Sequence, residues 1–245
     1  FMRIIKAHPG SIVARSSLIE VEKLASIIEI DEEEVGRVVN QGNFAELPPA
    51  VQQMTYYFTA LDNMRRGLWE WVEPSSNRLT AESFWGARFN YYRALEMVRL
   101  DQSEQALAEF KSLSENKILP EILRRKAAWQ HARLLFERNK HEDAESIYAG
   151  FLFPGREFGR VLLERAWIRF YTKDYSVALG MLQSLRSPYF NSSRSPEQYV
   201  LEMIIYRELC HYKAAKETAK EFDRVFGNSV KAIQDRRPLE QSDLL

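Results

Sequence analysis

The chain has 245 residues with 34 Lys or Arg and 34 Asp or Glu, so its formal charge at pH 7 is zero. A content of 45% hydrophobic and 28% charged residues is typical of a folded globular protein and excludes wholesale disorder. The zero net charge disfavours a nucleic-acid binder that relies on a strongly basic surface.

Neither the apolar runs nor the single cysteine point to a particular compartment. No run is as long as a membrane span, and the first residues lack the apolar core of a signal peptide. Cys210 cannot form an internal disulfide, and its place beside Leu209 in an apolar helical pattern predicts a small core residue.

The distribution of Gly and Pro predicts an all-α fold. Only 10 glycines and 9 prolines occur, and they fall between segments that have helical periodicity. In the first of these segments, which begins at Leu18, the residues Val21, Leu24, Ala25 and Ile28 share one face. The pattern predicts a short amphipathic helix.

A second N-terminal helix is marked by its start and stop signals. Asp31 followed by Glu34 is a capping-box pattern, and the run 40–43 (NQGN) ends the helix. Pro48 and Pro49 then suit the first turn of the next helix, because proline lacks the amide hydrogen that is unused there.

We expect that next helix to extend over residues 50–72, with apolar side chains on more than one side. The run 74–77 (PSSN) is the clearest break in the sequence. It predicts an N-terminal helical cap at 1–78 and a region of helix pairs at 79–245.

The helix pairs show an internal repeat. The alanines at 106, 144, 178 and 215 are 38, 34 and 37 residues apart, and in the first three units a larger residue follows four positions later. Twelve residues before each of the first three is another alanine, at 94, 132 and 166, while Met203 takes that place in the fourth unit. Paired small residues at this spacing allow the two helices of a hairpin to approach closely.

This pattern over residues 80–226 resembles the tetratricopeptide repeat. It departs from that family where Asp101, Asn139 and Lys173 replace a glycine between helices, and where Arg169 replaces a tyrosine. The resemblance implies an α-solenoid of about four hairpins in a right-handed superhelix, followed by a short C-terminal helix and a polar tail. The last units are also similar to repeat arrays of bacterial envelope proteins, which favours the periplasm over the cytoplasm.

The resemblance further implies a non-catalytic scaffold that binds a protein or peptide on a concave wall lined by the first helix of each hairpin. The outward positions of those helices include Leu163 and are mostly aromatic or basic. Our predicted contact residues are Arg88, Tyr91, Lys126, Trp129, Arg133, Trp167, Arg169 and Tyr171.

Local charge favours an acidic partner or self-association. Residues 121–173 contain eleven basic and seven acidic residues, whereas residues 20–46 contain eight acidic and two basic ones. Three alternatives stay open. In the first, the arginines are only solvated and the tryptophans are wedges in the core. In the second, the chain is a domain of a cell-wall-processing protein that positions glycan or a fused catalytic module, and in the third it is a self-assembling structural element.

Motifs for catalysis, metal or cofactor binding are weak in this sequence. His141 and Glu145 share a helical face, but no second ligand pair accompanies them. Cys210 and His211 diverge by about 100° on a helix, and no glycine-rich phosphate loop occurs. We therefore assign no catalytic residue, no metal and no cofactor.

The segment 18–39 has the lengths of a helix-turn-helix motif for DNA. Its second helix opens with four acidic residues, however, at the end that would approach phosphates. We therefore expect no nucleic-acid partner.

Overall fold

A computed structural model describes residues 1–8, 10–25, 27–28, 30–41, 47–117, 119–150 and 155–238. This described part of the chain contains thirteen α-helices, one 3-10 helix and no strand. The chain divides into two compact units, Phe1–Leu134 and Leu135–Leu245. The all-α prediction is confirmed.

The first five helices are α1 (Met2–Ala7), α2 (Ile12–Ala25), α3 (Glu32–Gln41), α4 (Pro49–Arg65) and α5 (Trp69–Ser76).

The core of the N-terminal helices is centred on three large aromatic side chains. The ring of Tyr57 lies 4.9 Å from that of Phe58 and 5.1 Å from that of Trp85, and all three are almost fully buried. Trp85 belongs to the first helix of the predicted repeat region, so the N-terminal helices and that helix share one core. The division at residue 78 stays a prediction about where the repeats begin.

The helix predicted from Leu18 begins earlier and ends before Ile28. Helix α2 starts at Ile12, and Leu18, Val21 and Ala25 are buried as predicted. Ile28 lies beyond the helix and is 52% exposed. Its assignment to this helix was wrong, because α2 ends at Ala25.

The predicted start of α3 is confirmed, with one difference. The amide of Glu34 donates to Oδ1 of Asp31 at 3.0 Å, which is the expected cap. The carboxylate of Glu34 instead accepts from Nζ of Lys6 at 2.5 Å, so it ties α3 to α1. The predicted end at 40–43 lies largely outside the described residues.

The single helix predicted over 50–72 is two helices. Gly67 has a φ of 72°, and the amide of Leu68 donates to the carbonyl of Asn63 at 2.9 Å. This is the bonding pattern of a helix C-terminus that ends on a left-handed glycine. Because Pro74 lies inside α5, the break predicted at 74–77 comes a few residues later in the structure.

Four pairs of helices follow along the chain. The 3-10 helix Pro188–Ser193 precedes the last of them. They are α6 (Phe84–Arg99) with α7 (Ser103–Glu115), α8 (Glu121–Glu137) with α9 (His141–Gly150), α10 (Gly155–Tyr171) with α11 (Tyr175–Leu185), and α12 (Pro196–Glu208) with α13 (Tyr212–Gln234).

The turn between the two helices has the same geometry in every hairpin. Asp101, Asn139, Lys173 and Cys210 have φ values of 61°, 61°, 62° and 57°. In each turn the next amide donates to a carbonyl five residues back, as from Asp174 to Arg169 at 2.8 Å. Non-glycine residues therefore take the left-handed position that the family fills with glycine.

This recurrent turn settles the register of the fourth hairpin. Each left-handed residue lies seven positions after the first small residue and five before the aligned alanine, and the same count holds for Met203, Cys210 and Ala215. The spacing of the first three pairs therefore also holds in the fourth. The six alanines of the first three units are all fully buried: Ala94, Ala106, Ala132, Ala144, Ala166 and Ala178.

Two predictions for the C-terminal region were wrong. Cys210 is exposed, because it occupies the left-handed turn and not a helical core position. The short C-terminal helix is the continuation of α13, which runs without interruption for 23 residues from Tyr212. Phe226 of α13 packs against Tyr199 with ring centroids 5.8 Å apart, which holds this long helix on α12.

The left-handed turns predict a stabilising substitution. Lys173→Gly removes the clash of a Cβ with the backbone, and we expect a gain of about 0.5–1 kcal/mol in the free energy of unfolding. Lys216→Gly is the control, because this exposed lysine lies inside α13, where glycine costs about 1 kcal/mol. Urea unfolding followed by circular dichroism gives both values. Destabilisation by Lys173→Gly would contradict the turn geometry.

Candidate partner-binding surface

Arg88, the first predicted contact residue, lies in a partly buried network of charges. Its Nε donates to Oε1 of Glu32 at 2.7 Å, and its side chain is only 13% exposed. The hydroxyl of Tyr57 donates to the same carboxylate at 2.7 Å, and Arg65 lies 3.2 Å from its other oxygen. Arg88 therefore ties α6 to α3, and its contact with a partner stays a prediction.

The network lowers the pKa of Glu32 and raises the pKa of Tyr57. Burial raises the pKa of Glu32, but the hydrogen bond from Tyr57 and the charge of Arg88 lower it, so that the pKa lies below its ordinary value. Burial and the nearby charge of Glu32 raise the pKa of Tyr57 well above its ordinary value. Glu32 is therefore ionised and Tyr57 neutral at pH 7.

Tyr91, also on α6, is a core residue. It is 8% exposed, and its ring lies 5.5 Å from that of Tyr92 and 5.7 Å from that of Phe110 in edge-to-face arrangements. Only the margin of this side chain is accessible to a partner.

Helix α8 carries three predicted contact residues on one side. Lys126, Trp129 and Arg133 are three and four residues apart, which places them above one another on a helix. All three are partly exposed, and the guanidinium carbon of Arg133 lies 4.7 Å from the centre of the Trp129 ring. This cation–π contact holds both side chains at the surface of α8.

A cleft in the compact unit Phe1–Leu134 brings three of the predicted residues together. Arg88 and Tyr91 of α6 and Lys126 of α8 line it, together with the segment that follows α2. Ile27 and Ile28 were not among the predicted contact residues, because Ile28 was assigned to the preceding helix. The apolar side chains of the lining include Ile27, Ile28, Phe84, Tyr92, Ile122 and Leu123.

The predicted residues on α10, in the compact unit Leu135–Leu245, differ in their exposure. Tyr171 is 53% exposed, whereas Trp167 is partly buried and donates from Nε1 to Glu197 at 2.7 Å. Leu163 is 8% exposed and belongs to the core of this unit, so its outward assignment was wrong. The Trp167 and Tyr171 rings lie 6.1 Å apart on one side of α10.

Arg169 is engaged in contacts within the second unit. It lies 2.8 Å from Glu145 of α9 and 3.8 Å from Asp174 in the turn, and Arg165 also pairs with Glu145 at 2.7 Å. The arginine that replaces the family's tyrosine therefore binds α10 to α9. A role in partner binding is still a prediction for this residue.

His141 and Glu145 point to different partners. The ring of His141 stacks on Tyr171 with centroids 5.4 Å apart, and Phe136 lies 5.3 Å from His141. Glu145 accepts from the two arginines. In the described residues no group of three or more His, Cys, Asp or Glu could hold a metal ion. None of the described helices has the length and apolarity to cross a membrane.

Four consecutive helix pairs with recurrent small residues and one recurrent turn give the chain a tetratricopeptide-like fold. No protein-family model matches the chain, and no characterised protein matches its sequence.

Two solved structures are similar in fold. PilF of Pseudomonas aeruginosa has a TM-score of 0.59 at 13% identity, with 91% of this chain and 96% of that chain covered. PilW, described as a widely conserved type IV pilus biogenesis factor, has a TM-score of 0.56 at 13% identity, with 87% and 92% covered. The tetratricopeptide-like fold predicted from the sequence is confirmed.

The network around Glu32 predicts a pH-dependent loss of stability. We expect Glu32→Gln to cost about 3 kcal/mol at pH 7, because Arg88 loses the charge that compensates its burial. Because folding lowers the pKa of Glu32, the stabilisation that its charge provides is fully present above the ordinary pKa of 4.5. This stabilisation is lost as the pH falls through the lower pKa that Glu32 has in the folded protein.

Urea unfolding at pH 7 and at pH 3 measures this difference. Glu33→Gln is the matched control, because the side chain of Glu33 is 80% exposed and pairs only at the surface with Arg37. We expect less than about 0.5 kcal/mol for that control at either pH. An equal loss in the two variants would show that the Glu32 network does not stabilise the fold.

Proposed function

We propose that this chain is a non-catalytic scaffold that binds a segment of another protein on the first helices of its hairpins. The observation that carries this proposal is the surface of α8, where Lys126, Trp129 and Arg133 lie partly exposed on one side. Tryptophan and arginine are the residue types that contribute most binding energy in interfaces.

The arrangement on α8 is suited to recognition because it is held before a partner arrives. Contact with Arg133 fixes the plane of Trp129, so less conformational entropy is lost when the ring is covered. Two of the three residues are cationic, and the excess of basic residues over 121–173 favours a partner segment with acidic side chains.

The fold also supports a role in the assembly of cell-envelope structures, with the periplasm as the compartment. PilW is described as a type IV pilus biogenesis factor, and its similarity extends over 87% of this chain. An assembly factor holds another protein, and the partly exposed side chains on α8 offer a surface of that kind. The partner need not be a pilus component.

Charge reversal on α8 tests the proposal. We expect Lys126→Glu with Arg133→Glu to reduce the amount of partner captured from an extract of the source organism about tenfold or more, because acidic side chains are then repelled. Quantitative mass spectrometry of proteins retained by the immobilised chain gives the measurement.

The control reverses two charges that do not lie on a first helix. Lys111→Glu with Lys117→Glu changes the net charge equally, and both lysines are exposed at the end of α7 and beyond it. This control retains the same partners as the unmodified chain. Equal capture by the α8 variant and the control would show that α8 is the wrong surface.

A further inference from the structure

The first helices of the last two hairpins, α10 and α12, share a surface that combines aromatic rings with a carboxylate. Trp167 and Tyr171 of α10 lie on it, and Nε1 of Trp167 donates to Oε1 of Glu197 on α12 at 2.7 Å. We infer that this surface binds an arginine side chain of a partner segment. The inference rests on the proposed function and adds, in the unit Leu135–Leu245, a contact opposite in charge to that on α8.

Glu197 supplies the negative charge of this surface. It is exposed in the first turn of α12, and within the described part of the chain its carboxylate accepts only from Trp167, which is uncharged. No described Lys or Arg pairs with it, its sequence neighbour Arg194 included. A carboxylate can accept several hydrogen bonds, so it can also accept from a guanidinium, and that bond is charge-assisted.

Tyr171 supplies an exposed aromatic ring. Its side chain is 53% exposed, although the ring of His141 stacks on it with centroids 5.4 Å apart. Arginine suits a ring and a carboxylate together, because its planar guanidinium stacks on the ring while its edge donates to the oxygens. Val200, which follows Glu197 by one turn on α12, is 42% exposed and offers apolar surface for the arginine stem.

The basic residues of α10 leave the charge of Glu197 in place. Arg165 and Arg169 both pair with Glu145 of α9, at 2.7 and 2.8 Å. Arg160 is exposed two turns before Trp167, about 10 Å along the helix, where solvent and salt weaken its repulsion of a bound cation. Of these charged groups only Glu197 is bonded to a ring of the surface, and it attracts a cation.

Both rings are held in place before a partner binds. The hydrogen bond to Glu197 fixes the indole of Trp167. Contacts with His141 on one face and with Phe136, whose ring centroid is 5.5 Å away, restrict the ring of Tyr171. Because the two rings are already restricted, less conformational entropy is lost when a guanidinium covers them.

A selection from a random library of short displayed peptides tests the inference, with the full chain immobilised. An excess of the Glu197→Gln chain in solution removes peptides that bind elsewhere on the molecule. We expect the remaining peptides to share an arginine beside apolar residues. Fluorescence polarisation of the most enriched peptide, and of the same peptide with citrulline in place of arginine, gives the Kd of each.

Loss of the carboxylate charge should weaken only the arginine peptide. For Glu197→Gln we expect the Kd of this peptide to rise about tenfold or more, while the Kd of the citrulline peptide changes little because it carries no charge at that position. Tyr171→Ala should weaken the arginine peptide as well, whereas Tyr171→Phe keeps the ring and the binding.

The matched control is Glu142→Gln. Glu142 is an exposed acid in the first turn of α9, as Glu197 is in the first turn of α12, so both substitutions remove a charge at the start of a helix. We expect the control to leave both Kd values unchanged. Equal midpoints of urea unfolding for the two variants show that any difference in binding does not come from lost folding.

Several outcomes would overturn the inference. They are enriched peptides without arginine, the absence of any peptide that survives the competition, and equal weakening of the arginine and citrulline peptides by Glu197→Gln. Association of the chain in sedimentation that Glu197→Gln abolishes would overturn it too, because the surface would then belong to a second copy. If partner capture depends on Lys126 and Arg133 while no arginine peptide is enriched, the inference fails and the proposed function stands.

Discussion

Each helical hairpin depends on a reversal in which one residue adopts a left-handed backbone conformation. Residues 101, 139, 173 and 210 all do so, although none of them is glycine. The reversal is short, so the two helices must be antiparallel and adjacent. Close neighbours require small residues where the helices meet, and this is why the alanines of the first three units are fully buried.

A second constraint is the pairing of Glu32 with Arg88. These charges are mostly removed from water, and the fold accommodates them because Tyr57 and Arg65 complete the carboxylate's contacts. The pair attaches the helix after the exposed isoleucines to the first repeat helix. A contact that serves stability thereby also shapes the cleft, and it explains why a residue predicted to meet a partner is largely enclosed.

Much of the fold was predictable from local patterns, and much less of the candidate surface. The spacing of Ala94 and Ala106 predicted a hairpin because helix contacts recur along the sequence. Tyr91 and Leu163 were predicted to face outward from their positions relative to the packing alanines, yet they contact Phe110 and the core of the unit Leu135–Leu245. Arg169, predicted to contact a partner, pairs with Glu145. Helical spacing gives a direction, but it does not show which other helix lies there.

By itself the sequence determined the all-helical class and the pairing of helices in the repeats, since these follow from periodicity, caps and small residues within about 40 positions. The register of the fourth pair was settled by its turn at Cys210 in the structure. Only the tertiary structure decided that Ile27 and Ile28 would lie beside Lys126 in one cleft. The two isoleucines are separated from that lysine by about a hundred residues. Their meeting depends on how α2, α3 and α6 pack, which no local pattern encodes.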